Sequence, residues 1–122
     1  MSKFAMQTVA SGVKFNLMAT NGQTIATSEV YKSKAACIKG IASVRMNAPI
    51  AALENQTVEG WVPQGHPKFE MYADKAGEFR FRLKAKNGKI IAVSEGYTTK
   101  AACENGIDSV RKNADTAEIE EA

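Results

Sequence analysis

FNLMATNGQTIATSEVYKSKAACIKGIASVRMNA, residues 15–48, returns without a gap as FRLKAKNGKIIAVSEGYTTKAACENGIDSVRKNA, residues 81–114. About 21 of roughly 34 positions are identical at a constant offset of about 66 residues, the self-similarity of an internally duplicated architecture. Upstream, KFAM (Lys3–Met6) answers KFEM (Lys68–Met71) one residue out of phase, so one connection is a residue shorter in the first copy. The duplication bears on the fold and says nothing direct about an activity.

Within each copy the apolar period changes from two to helical. Lys3–Thr8 and Lys68–Ala73 read as opening strands, with Gly12 and Gly77 marking the turns that follow. In the next run Phe79, Phe81, Leu83 and Ala85 face one way and Arg80, Arg82, Lys84 and Lys86 the other, the pattern of a half-buried strand. Asn21-Gly22 and Asn87-Gly88 then predict two-residue type I′ hairpins, whose two central positions need positive φ. Thr24–Ser28 and Ile90–Ser94 are the returning strands.

Ser33 and Thr99 are suited to cap helices over Ser33–Asn47 and Thr99–Asn113, because a hydroxyl accepts the free amides of a first turn. Cys37, Gly40, Ile41, Val44 and Ala48, and equally Cys103, Gly106, Ile107, Val110 and Ala114, fall on one helical stripe. A mid-helix glycine costs up to about 1 kcal/mol against alanine, so its recurrence on that stripe implies a close approach to the sheet. Arg45 and Arg111 flank the stripe and are expected to pair with a carboxylate such as Glu29 or Glu95. Asn47 and Asn113 suit left-handed helix ends. Ala51–Asn55 and Ala117–Glu121 are candidate fourth strands around Leu53 and Ile119. The connector QTVEGWVPQGHP is expected to dock Trp61 on the sheet or over an end of the core.

The architecture expected is therefore α+β: two tandem β-β-β-α-β repeats forming a mainly antiparallel sheet, with both helices on one face. Residues 1–122 make a single domain, with repeats at 3–55 and 68–121 joined by a connector at 56–67. A unit of about 55 residues is near the lower limit for an independent core, so the copies share one. Phe15, Leu17, Ile41, Val44, Phe81, Leu83, Ile107 and Val110 are the expected core.

The chain closely resembles the YegP-like proteins, a bacterial and archaeal family of uncharacterised small proteins, through FRFRLKA, NG, IIA, SEGY and the KAACENGI and SV segments, over nearly its whole length and twice. The resemblance implies a β-β-β-α-β unit used singly in dimers or in tandem, with the last strands exchanged between units, and it makes Leu53 and Ile119 the crossing segments. It carries no catalytic residue, cofactor or ligand.

With 122 residues, 44% hydrophobic and 24% charged, the composition is that of a soluble globular protein. No apolar run approaches a membrane span, and the start, MSKFAMQTVASG, has no secretory pattern, so a cytoplasmic protein without membrane contact is expected. Cys37 and Cys103 are then reduced core residues. The net charge of +3 lies in the first copy, with six basic residues against two acidic over Met1–Asn55, while Pro67–Ala122 has ten of each.

No phosphate loop, nucleophile elbow or metal-spaced His/Cys cluster is present. His66, the only histidine, stands in the connector. Cys37 and Cys103 lie near helix N-termini but on the apolar stripe, with no histidine base in either repeat. Glu29 and Glu95 recur with Tyr31 and Tyr97, yet a carboxylate before a helix is stabilising on its own account. No enzymatic role, catalytic residue, metal or cofactor is expected, and the function class is a binding or accessory module.

Two classes of partner are open. Nucleic acid is the alternative suggested by Arg80, Arg82, Lys84, Lys86 and Lys89, to which regular pairing through Asn87-Gly88 adds Ile91 and Val93 on the same face. Against it, Lys14, Asn16, Met18 and Thr20 at the equivalent positions carry little charge. A protein partner is suggested by Met18, Ile25 and Ile91, which regular hairpins would leave on the face away from Phe15 and Phe81; a longer turn would send them inward. As a tandem form the chain is expected to be a monomer.

Overall fold

Alternation places the strands at 12–18 and 79–84 in the sheet: Phe81 and Leu83 are wholly buried while Arg80, Arg82 and Lys84 between and beside them are only half-buried, and Phe15 and Leu17 behave likewise in the first copy. The computed structural model describes residues 2–121. Its elements are β1 (Lys3–Val9), β2 (Gly12–Met18), β3 (Thr24–Thr27), α1 (Lys34–Asn47), β4 (Ala52–Asn55), β5 (Lys68–Ala73), β6 (Phe79–Lys84), β7 (Ile90–Val93), α2 (Lys100–Ala114) and β8 (Glu118–Glu121). All lie in one sheet, ordered β4-β5-β6-β7-β3-β2-β1-β8. Exchanging the two repeats' labels reverses that order, so a pseudo-twofold axis runs between β3 and β7, where Thr27 pairs with Val93.

The last strands are exchanged. β4 pairs in parallel with β5 of the second repeat, from Ala52–Lys68 to Asn55–Met71. β8 pairs in parallel with β1 of the first, from Lys3–Glu118 to Met6–Glu121. The remaining neighbours are antiparallel. The shorter connection is the two-residue Ala10-Ser11 turn between β1 and β2; in the second copy Asp74–Glu78 closes over three residues.

Ser33 and Thr99 cap the helices, their hydroxyls accepting the amides of Ala36 at 3.1 Å and Ala102 at 3.0 Å. Both helices cover the same sheet face and cross the axis, α1 lying over β2 and β7 and α2 over β6 and β3. All eight residues expected in the core are buried, with Phe4 edge-on to Phe15 and Phe69 edge-on to Phe81.

Several local expectations are corrected. The Asn-Gly hairpins are not type I′: Ala19 N–H donates to Gln23 O at 2.9 Å and Gly22 N–H to Ala19 O at 3.0 Å, so the loop has three residues. Only its glycine has positive φ, +84°. Ala85, Gly88 and Lys89 repeat the arrangement. A register shift follows at Leu17/Met18 and Leu83/Lys84. Bulge and turn together change the parity, so Ile25 and Ile91 go into the core and Ile90 and Val93 take the outer face.

The helix ends are not left-handed. Asn47 and Asn113 instead turn back and donate to the carbonyls of Ser43 and Ser109, each at 2.8 Å. Among the described residues Arg45 and Arg111 pair with no carboxylate. Arg45 donates to Ala117 O of the second repeat and lies 5.4 Å over the Phe4 ring; Arg111 donates to Ala48 O of the first and lies 4.9 Å over Phe69. Each cation thus finds a backbone carbonyl across the repeat boundary, just before β8 for Arg45 and at the C-cap of α1 for Arg111, and an aromatic face to cover. Trp61 is 42% exposed and does not close the core; the connector is tied to the sheet by the Gln64 amide, which donates to Glu54, and at its two ends by the Gln56 amide, which donates to Met71 O at 2.8 Å, and by Pro67 O, which accepts the Ala52 amide at 3.2 Å.

Candidate functional site

The basic residues are divided by the sheet. Arg80, Arg82 and Lys84 lie on the face away from the helices, and each is engaged. Arg80 pairs with Asp74 at 2.7 Å; Arg82 and Lys84 both pair with Glu70, Lys84 at 3.3 Å, and Arg82 stacks over Tyr72. Glu70 also receives Lys68, which bridges at 2.7 Å to Glu54. Glu54, Lys68 and Glu70 are almost fully buried. Burial would raise the Glu54 carboxyl, but hydrogen bonds from Lys68, Gln56 and the Gln64 amide outweigh it and bring the pKa down to about 2. Burial is likewise outweighed at Glu70, by Arg82, Lys68 and Lys84.

This charged layer explains why the copies differ here. Ala5 stands where the second copy has Glu70, with Asn16 and Met18 in place of Arg82 and Lys84, so acid and bases are absent together. Of the other predicted face residues, Lys86 is exposed at the hairpin tip. Lys89 pairs with buried Ala85 and therefore points to the helix side, and Ile91 is 5% exposed inside the core. The six residues do not form one face.

Lys89 belongs instead to a cleft of about 340 Å³ between α1 of the first repeat and the β6–β7 hairpin of the second. Tyr31, Ala36, Lys39, Gly40 and Ser43 form one wall, with Glu29 at the edge, and Ala85, Asn87, Lys89 and Ile91 the other. A second cleft, of about 240 Å³, lies at the related place between α2 and the β2–β3 hairpin, lined by Tyr97, Ala102, Asn105, Gly106, Ser109, Ala19, Asn21, Gln23 and Ile25. Nine lining positions correspond between the clefts, and seven are identical.

Local structure fixes these walls. Ser28 Oγ accepts the Phe15 amide and donates to Glu29 O, and Ser94 does the same between Phe81 and Glu95, which sets the path of each SE-x-Tyr segment. Tyr31 then bridges to Val13 and stacks on Phe15; Tyr97 bridges to Phe79 and stacks on Phe81. The close approach at the helix glycines is to these tyrosines. A Cβ on Gly40 would lie 2.3 Å from the Tyr31 hydroxyl, and one on Gly106 2.4 Å from that of Tyr97. Burial raises both phenols, so each remains a hydroxyl at neutral pH. No spacing in the sequence announces the clefts, because their walls come from different repeats; the signal available was the recurrence of Tyr, Gly, Ser and Asn in both copies.

Residues 10–54 and 74–121 each match the model of a domain of unknown function, DUF1508. The chain belongs to the DUF1508 family. It is 36% identical over 112 residues to a "UPF0339 protein in ptx operon 5′region" of Stutzerimonas stutzeri, covering 92% of this chain and 87% of that protein. A UPF0339 protein of Treponema denticola is 61% identical over 54 residues, 44% of this chain but 93% of that one, so it has the length of a single DUF1508 unit. The solution structure of yegP from E. coli, a protein of unknown function, superposes with a TM-score of 0.79 at 36% identity, covering 98% of this chain and 91% of the other. The YegP-like resemblance and the α+β tandem fold are thereby established.

The cysteines of this DUF1508 chain are wholly buried and unpaired. Burial raises the Cys37 thiol and, with Glu104 adding, pushes Cys103 up to about 11. Among the described residues no three His, Cys, Asp or Glu side chains converge as a metal site requires, and no helix is long and apolar enough to cross a membrane.

Proposed function

We propose that this DUF1508 chain is a non-enzymatic, cytoplasmic binding module whose ligand sites are the two clefts between its repeats. The observation that carries this reading is the repetition of the same lining, including a tyrosine hydroxyl, a serine and the hairpin asparagine, at places related by the pseudo-twofold axis. Apolar floors with a few convergent polar groups are what small-ligand sites are made of. The raised, buried thiols support a role without nucleophilic catalysis, and cysteines left as thiols suit a reducing compartment. Exchange of β4 and β8 within one chain supports a monomer.

A screen of small neutral fragments, read by amide shifts in nitrogen–proton correlation spectra, tests the reading. Shifts at Gly40, Ser43 and Asn87, or at Gly106, Ser109 and Asn21, are expected. Shifts confined to the outer sheet face, or none, would overturn it. The nucleic-acid alternative is left with Lys86 and Lys89 at one hairpin tip, since Arg80, Arg82 and Lys84 are paired. Salt-dependent binding of labelled oligonucleotides that is lost in Lys86→Gln would favour it over the clefts.

A further inference from the structure

The two clefts share seven of nine corresponding lining residues, and the two that differ change in the same sense. Lys39 on α1 stands where α2 has Asn105, and Lys89 on the second hairpin stands where the first has Gln23. Both replacements turn a neutral amide into a cation, and both fall in the same cleft although they belong to different repeats. They face it from opposite walls. Neither ammonium makes an ion pair among the described residues, unlike Arg80, Arg82 and Lys84 on the outer face. Among the described residues none that lines the second cleft is charged.

We infer that the first cleft, between α1 and the β6–β7 hairpin, is a site for a small organic anion whose carboxylate or phosphate lies between Lys39 and Lys89, with its apolar body against Tyr31 and Ile91. The inference rests on reading the clefts as binding sites and adds the ligand class. A volume of about 340 Å³ is at the low end for ligand pockets, roughly 300–1,000 Å³, so a single ring with one acidic group is the appropriate size. The Tyr31 hydroxyl and Ser43 add neutral donors to the cations; Ser43 Oγ already accepts the Asn47 amide and retains its own proton to donate. Glu29 at the edge opposes one of the two charges and leaves the lining net positive by one. Two exposed ammonium groups near an anion in high dielectric are worth on the order of tenfold in affinity.

The test uses benzoate, phenyl phosphate and neutral benzamide on the full chain, read by amide shifts at Gly40 and Ser43 against Gly106 and Ser109. Benzoate or phenyl phosphate is expected to bind the first cleft about tenfold more tightly than the second, and benzamide to show no such preference. The two anions separate a carboxylate site from a phosphate site. Lys39→Asn with Lys89→Gln, both exposed, should remove the preference, whereas Asn105→Lys with Gln23→Lys should create it in the second cleft, and Glu29→Gln should strengthen it in the first. Equal anion binding in both clefts, or a preference that survives Lys39→Asn with Lys89→Gln, overturns the anion site. Benzamide binding without any anion preference does so too, while leaving the clefts as binding sites. If none of the three probes shifts either cleft, the reading beneath the inference fails as well.

Discussion

Glycine inside a helix forfeits up to about 1 kcal/mol against alanine, yet Gly40 and Gly106 hold equivalent central places in α1 and α2. The tyrosine hydroxyls account for both. A methyl group at Gly40 would meet the Tyr31 oxygen at 2.3 Å, and Tyr31 is stacked on Phe15 and tied by backbone bonds to Val13, so it has little room to withdraw. Gly40→Ala should therefore cost about 1–3 kcal/mol despite its better helix propensity. Gly106→Ala should cost more, because its methyl also meets a ring carbon of buried Phe81 at 3.0 Å. Urea denaturation ranks the two variants, and stability at or above the parent's in either would show that the tyrosine contact is not what keeps the glycine. The buried thiols make a second residue-level prediction. Only the thiolate reacts, and burial holds both thiols up, Cys103 at about 11. An aromatic disulfide reagent at pH 8 should leave Cys37 and Cys103 unmodified in the native protein and modify both in denaturant. Rapid native labelling would return a nucleophile to consideration.

Among the elements, β4, β5 and β6 form a layer of alternating charge on the outer face, and Glu54 is its most buried member. A carboxylate whose folded pKa is depressed stabilises the fold above its ordinary value and loses that contribution as pH falls through the folded one. For Glu54 the window runs from its ordinary value of 4.5 down to about 2. At neutral pH Glu54→Gln should cost about 2 kcal/mol, less than the roughly 3–5 typical of breaking a buried pair, because Lys68 retains Glu70. The difference from the parent should shrink between about pH 4.5 and 2 in urea titrations; a difference constant with pH would mean that Glu54 is not the titrating group. Residual acid sensitivity in the variant belongs to Glu70 and Asp74, whose carboxyls are also held below their ordinary values. The strands of this layer were legible from the alternation of Phe79 to Lys86, and the helices from Ser33, Thr99 and their apolar stripes. The partners of Arg82 and Lys84 were not, because Glu70 neutralises them from a neighbouring strand. Ile91 was misplaced for a related reason: its side depends on the parity set by one loop residue and one bulge. The clefts were beyond sequence spacing altogether, since the helix of one repeat meets the hairpin of the other only after the sheet has assembled.

At the scale of the whole molecule the repeats are interlocked rather than juxtaposed. β4 leaves the first repeat to pair with β5, β8 leaves the second to pair with β1, and β3 joins β7 at the axis. Arg45 and Arg111 reach in opposite directions to Ala117 and Ala48. A single β-β-β-α-β unit standing alone would leave these same edges unpaired. In the tandem chain the connector then contributes proximity more than contact. Val58 to His66 are all exposed, and the tie at Gln64 to Glu54 joins the second repeat to the first. Placing a protease site at Val58–Trp61 and cutting it should therefore yield two pieces, each close to one repeat, that remain a one-to-one complex in native mass spectrometry and co-elute on gel filtration at micromolar concentration. Arg45→Ala with Arg111→Ala should hasten their dissociation without unfolding the uncut chain, since the covalent link still holds the repeats at high effective concentration. Pieces that separate on cutting would mean that the connector, and not the exchanged strands, keeps the two halves together.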